Sequence, residues 1–199
     1  MKIKLKIILS FLCVSLIVFL TSCSYSNIVF SSFESCPIKI EGKNVSEDKL
    51  GRNEIGKLMT AIFNNDEKAI NNLFCKTVQS NNSKLSKEID SFLQLFKENQ
   101  PSKVDYQYSV GHNDTVDGDD FDYDECLAEV YTQKEKYSFD FIVCYNDSRT
   151  DDNIGLWNIV VCDSDKREKS KKFDTFYNKY LFDVSTPSND LTGIFLLDI

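Results

Sequence analysis

The hydrophobic positions fall into blocks of different period. Residues 7–20 form a run of 14 positions, apolar except for Ser10 and Ser15, behind a start carrying Lys2, Lys4 and Lys6 and no acid. A membrane-spanning helix needs about 20 apolar residues, so a short run with a basic start and a small-residue end predicts an export signal over residues 1–22. Residues 24–53 lose all periodicity. They are rich in Ser, Asn, Glu and Lys and broken by Pro37 and Gly42, the composition of a tether. Ile28, Val29, Phe30 and Phe33 are more apolar than a linker requires, which leaves docking on the domain or dipping toward lipid as alternatives.

From Glu54 the period becomes helical. Ile55, Leu58, Met59, Ile62 and Phe63 share one face, and Asn64-Asn65-Asp66 stops that helix and caps a second carrying Ala69, Ile70, Leu73 and Phe74. A polar loop is expected over residues 76–83. A third helix over 84–98 buries Leu85, Ile89, Phe92, Leu93 and Phe96, with Pro101 beyond its end. The period then changes to two, and strands are expected over 104–110, 126–133, 137–145 and 154–162. Three helices followed by an antiparallel meander of about four strands predict an α+β domain over residues 54–163, helices on one face of a curved sheet. Residues 164–199 read as a C-terminal extension packed on that domain. It comprises a charged run, a helix with Phe173, Phe176, Tyr177, Tyr180, Leu181 and Phe182, and an apolar Ile194-Phe195-Leu196-Leu197 tail.

Leu20-Thr21-Ser22-Cys23 resembles the lipobox of bacterial lipoproteins. That resemblance implies cleavage before Cys23, a lipid on its sulfur, and a place on the outer face of the cell membrane. Two or three acyl chains, at about 0.8 kcal/mol per buried methylene, anchor a protein almost permanently. Within the domain, two helices flanking Asn64-Asn65-Asp66, the second ending in Leu73-Phe74, then a third helix and long strands look like the nuclear transport factor 2-like, cystatin-like superfamily. More narrowly, the stretches 136–141 (Lys-Tyr-Ser-Phe-Asp-Phe) and 152–159 (Asp-Asn-Ile-Gly-Leu-Trp-Asn-Ile) are similar to a family of uncharacterised Gram-positive lipoproteins. The resemblance implies a cone of helices and curved sheet, and brings no activity or catalytic residue.

The chain carries 23 basic and 31 acidic side chains, a net charge of −8. Removing residues 1–22 deletes the three lysines, which takes the exported chain to about −11. Such an acidic protein is not a nucleic-acid binder. Of seven cysteines, Cys13 leaves with the signal and Cys23 takes lipid. Cys36, Cys75, Cys126, Cys144 and Cys162 remain, an odd set without CxxC spacing, enough for two bridges at most and readable instead as small apolar fillers.

Candidate chemistry is sparse. The acidic run over residues 114–125 places Asp117-Gly118 among oxygen donors, as a calcium loop would, but lacks the acids such a loop needs at its start and the bidentate Glu at its end. It reads instead as a solvated hairpin loop turned by Asp117-Gly118. His112, the single histidine, sits at a strand end, where a surface position and a general-base role are both open. Tyr106, Tyr108, Tyr137, Phe139, Asp140, Trp157 and Asn158 are the set that could line a pocket in the cone. There is no phosphate loop, nucleophile elbow or HExxH helix, and no cofactor or metal is expected. The expectation is a lipid-anchored, extracytoplasmic, non-catalytic domain that binds a small ligand or an envelope protein, a secreted toxin included. The alternative is a cone-pocket enzyme, isomerase- or hydrolase-like, that uses a buried Asp140 or His112.

Overall fold

The computed structural model describes residues 38–42, 49–180 and 192–199. The export signal, the cleavage-site residues Leu20, Thr21, Ser22 and Cys23, and Cys36 lie outside the described residues. So do positions 24–37 and 43–48 of the expected tether.

Strand β1 (Lys39–Gly42) precedes helix α1 (Lys49–Phe63), which buries Ile55, Leu58, Met59 and Ile62 along the predicted stripe while Phe63 stays exposed. Both lie partly or wholly within the stretch expected as tether. Helix α2 (Glu67–Leu73) begins as its capping residue dictates, with the Ala69 amide donating to Asp66 Oδ1 at 2.9 Å. The expected loop over 76–83 contains a short helix, α3 (Lys76–Asn81), which buries Val78 alone and so has no periodicity to read. Helix α4 (Leu85–Phe96) buries all five residues of its predicted face.

The class is α+β, but the expected layout of three helices on about four antiparallel strands does not hold. The sheet has six strands in the order β1-β2-β3-β4-β5-β6. Strands β2 (Lys103–Val116), β3 (Asp119–Tyr131), β4 (Lys136–Asp147) and β5 (Gly155–Asp163) form the meander. Strand β1 adds in parallel to β2, and β6 (Gly193–Leu197) in parallel to β5, which makes the sheet mixed. Four helices precede the meander, and α5 (Ser164–Arg167) and α6 (Lys171–Tyr180) follow it, making six among the described residues. The two added strands have four and five residues. Segments that short carry almost no period-two signal, and their parallel pairing joins chain ends that no local pattern connects.

Alternation along β4 and β5 separates two faces. Phe139 and Tyr137 meet Phe92 and Phe96 of α4 edge-on, with ring centroids 5.4–5.9 Å apart around this cluster. Each such fully buried aromatic contributes about 2–3 kcal/mol. On the opposite face Val160 and Cys162 pack under Phe173 of α6, with Phe195 and Leu197 of β6 alongside. Helices therefore cover both faces, not one. Gly51 of α1 lies so close to Tyr106 and Cys126 that a Cβ there would meet the Tyr106 hydroxyl and the Cys126 sulfur.

The acidic run is strand, not loop. Asp117 and Gly118 (φ 55° and 90°) form a two-residue turn, and the chain on either side pairs from Val116↔Asp119 onward. Its polar side chains bond across the ladder: Thr115 Oγ1 donates to Asp120 Oδ1 at 2.7 Å, and Asn146 Nδ2 to Asp122 Oδ2 at 2.9 Å.

Candidate functional site

A half-open cleft of about 460 Å³ lies where α4 ends against the β3–β4 turn. One wall is the end of α4 and the residues after it: Gln94, Leu95, Lys97, Glu98 and Asn99. The other is Lys134 and Glu135 of the turn, Tyr137 at the start of β4, Asp163 and Lys166 at the junction of β5 and α5, and Ile199. Helix α4 stops because the chain must turn toward Pro101 and enter β2; the Asn99 amide nitrogen donates to the Phe96 carbonyl at 3.3 Å. That turn carries the Asn99 side chain inward, to 8% exposure.

Asn99 lies beside a hydrogen-bonded pair on the β3–β4 side of the cleft. The Tyr137 hydroxyl donates to Glu135 Oε2. Burial, with the Glu135 carboxylate beside it, pushes the Tyr137 phenol well above its ordinary value, and the hydroxyl remains a donor. Asn99 Oδ1 is buried and has no partner among the described residues. A buried acceptor without a donor is uncommon in folded proteins. Two charged groups of the cleft are already matched: Lys166 Nζ is 3.1 Å from Asp163 Oδ2. Burial raises the Asp163 carboxyl, but Lys166 and the Asp165 amide outweigh it and hold the group below its ordinary value.

The seven residues expected to share a pocket do not converge. Tyr137 lines the cleft, whereas Phe139 is wholly buried against α4 and Tyr106 against α1. Tyr108 is 43% exposed in the same cross-strand row as Asp140, whose side chain turns to the face opposite Phe139. There Arg167 of α5 grips Asp140 with Nη2–Oδ1 at 2.7 Å and Nε–Oδ2 at 3.3 Å, and Ser138 Oγ donates at 3.1 Å. Burial pushes the Asp140 carboxyl up, against the pull of Arg167 and Ser138. Asn158 is buried opposite Ile142, two positions along β4 from Asp140. Trp157 stacks on Tyr123 at 5.9 Å and donates its indole N–H to the Asn153 carbonyl at 2.7 Å.

His112 is stacked on Tyr123 at 4.7 Å and 11°, with Nε2 3.7 Å from Glu125 Oε2. Its strand partner Tyr123 precedes Tyr131, at the cleft end of β3, by eight residues. At about 3.4 Å per residue that is roughly 27 Å of strand. His112 and the cleft are thus separate places.

A family model described as a domain of unknown function (DUF5104) matches residues 57–164. The chain belongs to this family. No curated protein matches the chain. The stretch matched by DUF5104 runs from within α1 to the first residue of α5, so the meander and most of the cleft, Asn99, Lys134, Glu135, Tyr137 and Asp163 among them, fall inside it. Lys166, α6 and both parallel edge strands fall outside. Among the described residues no helix is long and apolar enough to cross a membrane.

Asn99 gave no signal to sequence reasoning. It stands in Glu98-Asn99-Gln100-Pro101, which marks a helix end and nothing more. Arg167 was part of a charged run, and its partner lies 27 residues away on another element.

Proposed function

We propose that this DUF5104 chain is an extracytoplasmic lipoprotein of a Gram-positive envelope, anchored through Cys23, whose domain binds a small polar ligand without transforming it. The basic start, the short apolar run and Leu20-Thr21-Ser22-Cys23 support the anchor. The binding role rests on one observation above the others: a half-open cleft of about 460 Å³, lined by charged and aromatic side chains, between the end of α4 and the β3–β4 turn. The helix-facing side of the sheet supports the non-catalytic part, because Phe92, Phe96, Tyr137 and Phe139 interlock where a reaction chamber would lie. Asp140, the acid raised by burial, is held by Arg167 rather than facing an open cavity.

Two measurements test this. Growth with a palmitate probe labels the full chain, and Cys23→Ser abolishes the label; a labelled Cys23→Ser chain or an unlabelled parent sinks the anchor. Ligand-observed NMR of the full chain in detergent micelles against a library of polar small molecules finds a binder that is recovered unchanged. A chemically converted ligand counts against the non-catalytic reading.

A further inference from the structure

We infer that the free edge of β2 is the surface through which two copies of this chain pair, antiparallel, into one continuous sheet. Strand β2 has 14 residues, and β1 pairs only with Lys103 to Tyr106 at its start. The register with β3 shifts between Tyr106 and Tyr108, and the pairing with β1 stops there. From Tyr108 to Val116 the register with β3 runs without interruption, and among the described residues no strand pairs with the other side of β2. That leaves about 30 Å of edge along which backbone donors and acceptors face outward. The opposite edge of the sheet is protected. Strand β6 has 5 residues, and its Ile194 amide donates to Glu88 Oε2 of α4 at 3.1 Å, so a side chain stands where a partner strand would bond. Residues 108–113 of β2 (Tyr-Ser-Val-Gly-His-Asn) carry no Asp, Glu, Lys, Arg or Pro, the residues that keep an edge from pairing.

Charge and symmetry select the occupant and its direction. Two copies of a chain of net charge −8 repel each other over most of their surfaces, but along residues 108–113 a second copy meets no like charge. The acids begin at Asp114 and continue around the hairpin as Asp117, Asp119, Asp120 and Asp122. Parallel pairing of two β2 edges sets both acidic hairpins side by side. Antiparallel pairing sends them to opposite ends of the seam. Tyr108 and Val110 share one face of the strand and are 43% and 45% exposed. A twofold axis normal to the sheet leaves each face where it was, so these two residues from both copies join in one apolar stripe across the seam. The surface draws on nothing in the Asn99 cleft and stands or falls apart from it.

The test uses the full chain in detergent micelles. Sedimentation in density-matched detergent shows a concentration-dependent dimer, and Tyr108→Lys/Val110→Lys, at two exposed positions, weakens it about tenfold or more. Unchanged circular dichroism and melting temperature separate that loss from misfolding. The second measurement does not depend on the lysine variant. A photo-crosslinking benzoylphenylalanine in place of Tyr108, in an equilibrated mixture of isotope-labelled and unlabelled chains, yields mixed-isotope peptides that map to residues 108–116 of the second copy. A monomer at every concentration, a dimer indifferent to the two lysines, cross-links confined within one chain, or cross-links to another part of the second copy each overturn the inference. Irradiated in the cell of origin, the same probe captures a second copy. Capture of a different protein in its place overturns the assignment of the occupant.

Discussion

Arg167 Nη2 lies 2.7 Å from Asp140 Oδ1, so that helix α5 is pinned to the middle of strand β4 on the face turned away from α4. The guanidinium also covers the Phe173 ring at 4.5 Å, which joins the ion pair to the small apolar cluster under α6. Removing the cation leaves a carboxylate with 13% of its surface exposed and no counter-charge. Arg167→Ala therefore costs about 3 kcal/mol in urea unfolding. The sign of the pH dependence follows from burial, which raises the folded Asp140 carboxyl above its ordinary 3.8. A raised carboxyl penalises the fold at neutral pH and carries no penalty once pH falls below the unfolded value. The gap between parent and Arg167→Ala is widest near neutrality and narrows as pH falls through the folded value toward 3.8. A gap that widens on acidification contradicts the assignment.

Asp147 behaves in the opposite sense. Burial raises it, but Arg149 Nη2 at 2.6 Å and the Asn153 amide at 2.8 Å more than offset this and hold the carboxyl at about 2, against 3.8. A depressed carboxyl contributes stability that is full above the unfolded value and lost as pH falls through the folded one. Thermal melts taken from pH 5 downward (about the upper edge of that window) show the parent losing stability as Asp147 titrates. Asp147→Asn, already less stable at neutral pH, loses less over the same interval. Parallel acid limbs for the two chains rule the linkage out.

Gly51→Ala sets helix propensity against packing. In an exposed helix the exchange gains about 1 kcal/mol, but here the added methyl enters the space of the Tyr106 hydroxyl and the Cys126 sulfur. Overpacking of that kind costs about 1–3 kcal/mol, so the variant melts lower than the parent. Made in a Tyr106→Phe/Cys126→Ala background, the same exchange is neutral or stabilising. Additivity across the two backgrounds argues against the contact.

Cys75, Cys126, Cys144 and Cys162 are buried thiols. Burial pushes Cys144 up to about 12 and Cys162 to about 11, and raises Cys75 as well. Thiolate is the reactive form, so these four resist iodoacetamide in the native protein and react in urea, as peptide mass spectrometry reads. A disulfide-linked peptide containing any of them, from protein isolated without reductant, counts against this.

What the sequence made legible was whatever repeats within one element. The stripes of α4 and, apart from the exposed Phe63, of α1, the Asp66 cap and the Asp117-Gly118 turn each follow from residues less than a dozen positions apart, and each stands where the pattern put it. The rest depends on distant partners. Strand β1 is invisible until β2 is there to pair with it, and β6 until β5 is. The acidic run looked like loop because polarity was read as exposure, yet strand pairing continues through it with aspartates bonded across the ladder. Tyr137 could be singled out as an aromatic on a strand. Asn99 could not, because its place in the cleft depends on the end of α4 meeting the β3–β4 turn, which no local pattern shows.

The most direct measurement is the side-chain amide resonance of Asn99 in the full-length protein, followed by heteronuclear NMR while a small molecule that binds is titrated in. Occupancy of the cleft moves the Asn99 resonance in step with saturation, with the Trp157 indole signal unmoved. Saturable binding that leaves Asn99 still while shifting the residues around His112 or Tyr108 places the ligand elsewhere and contradicts the cleft.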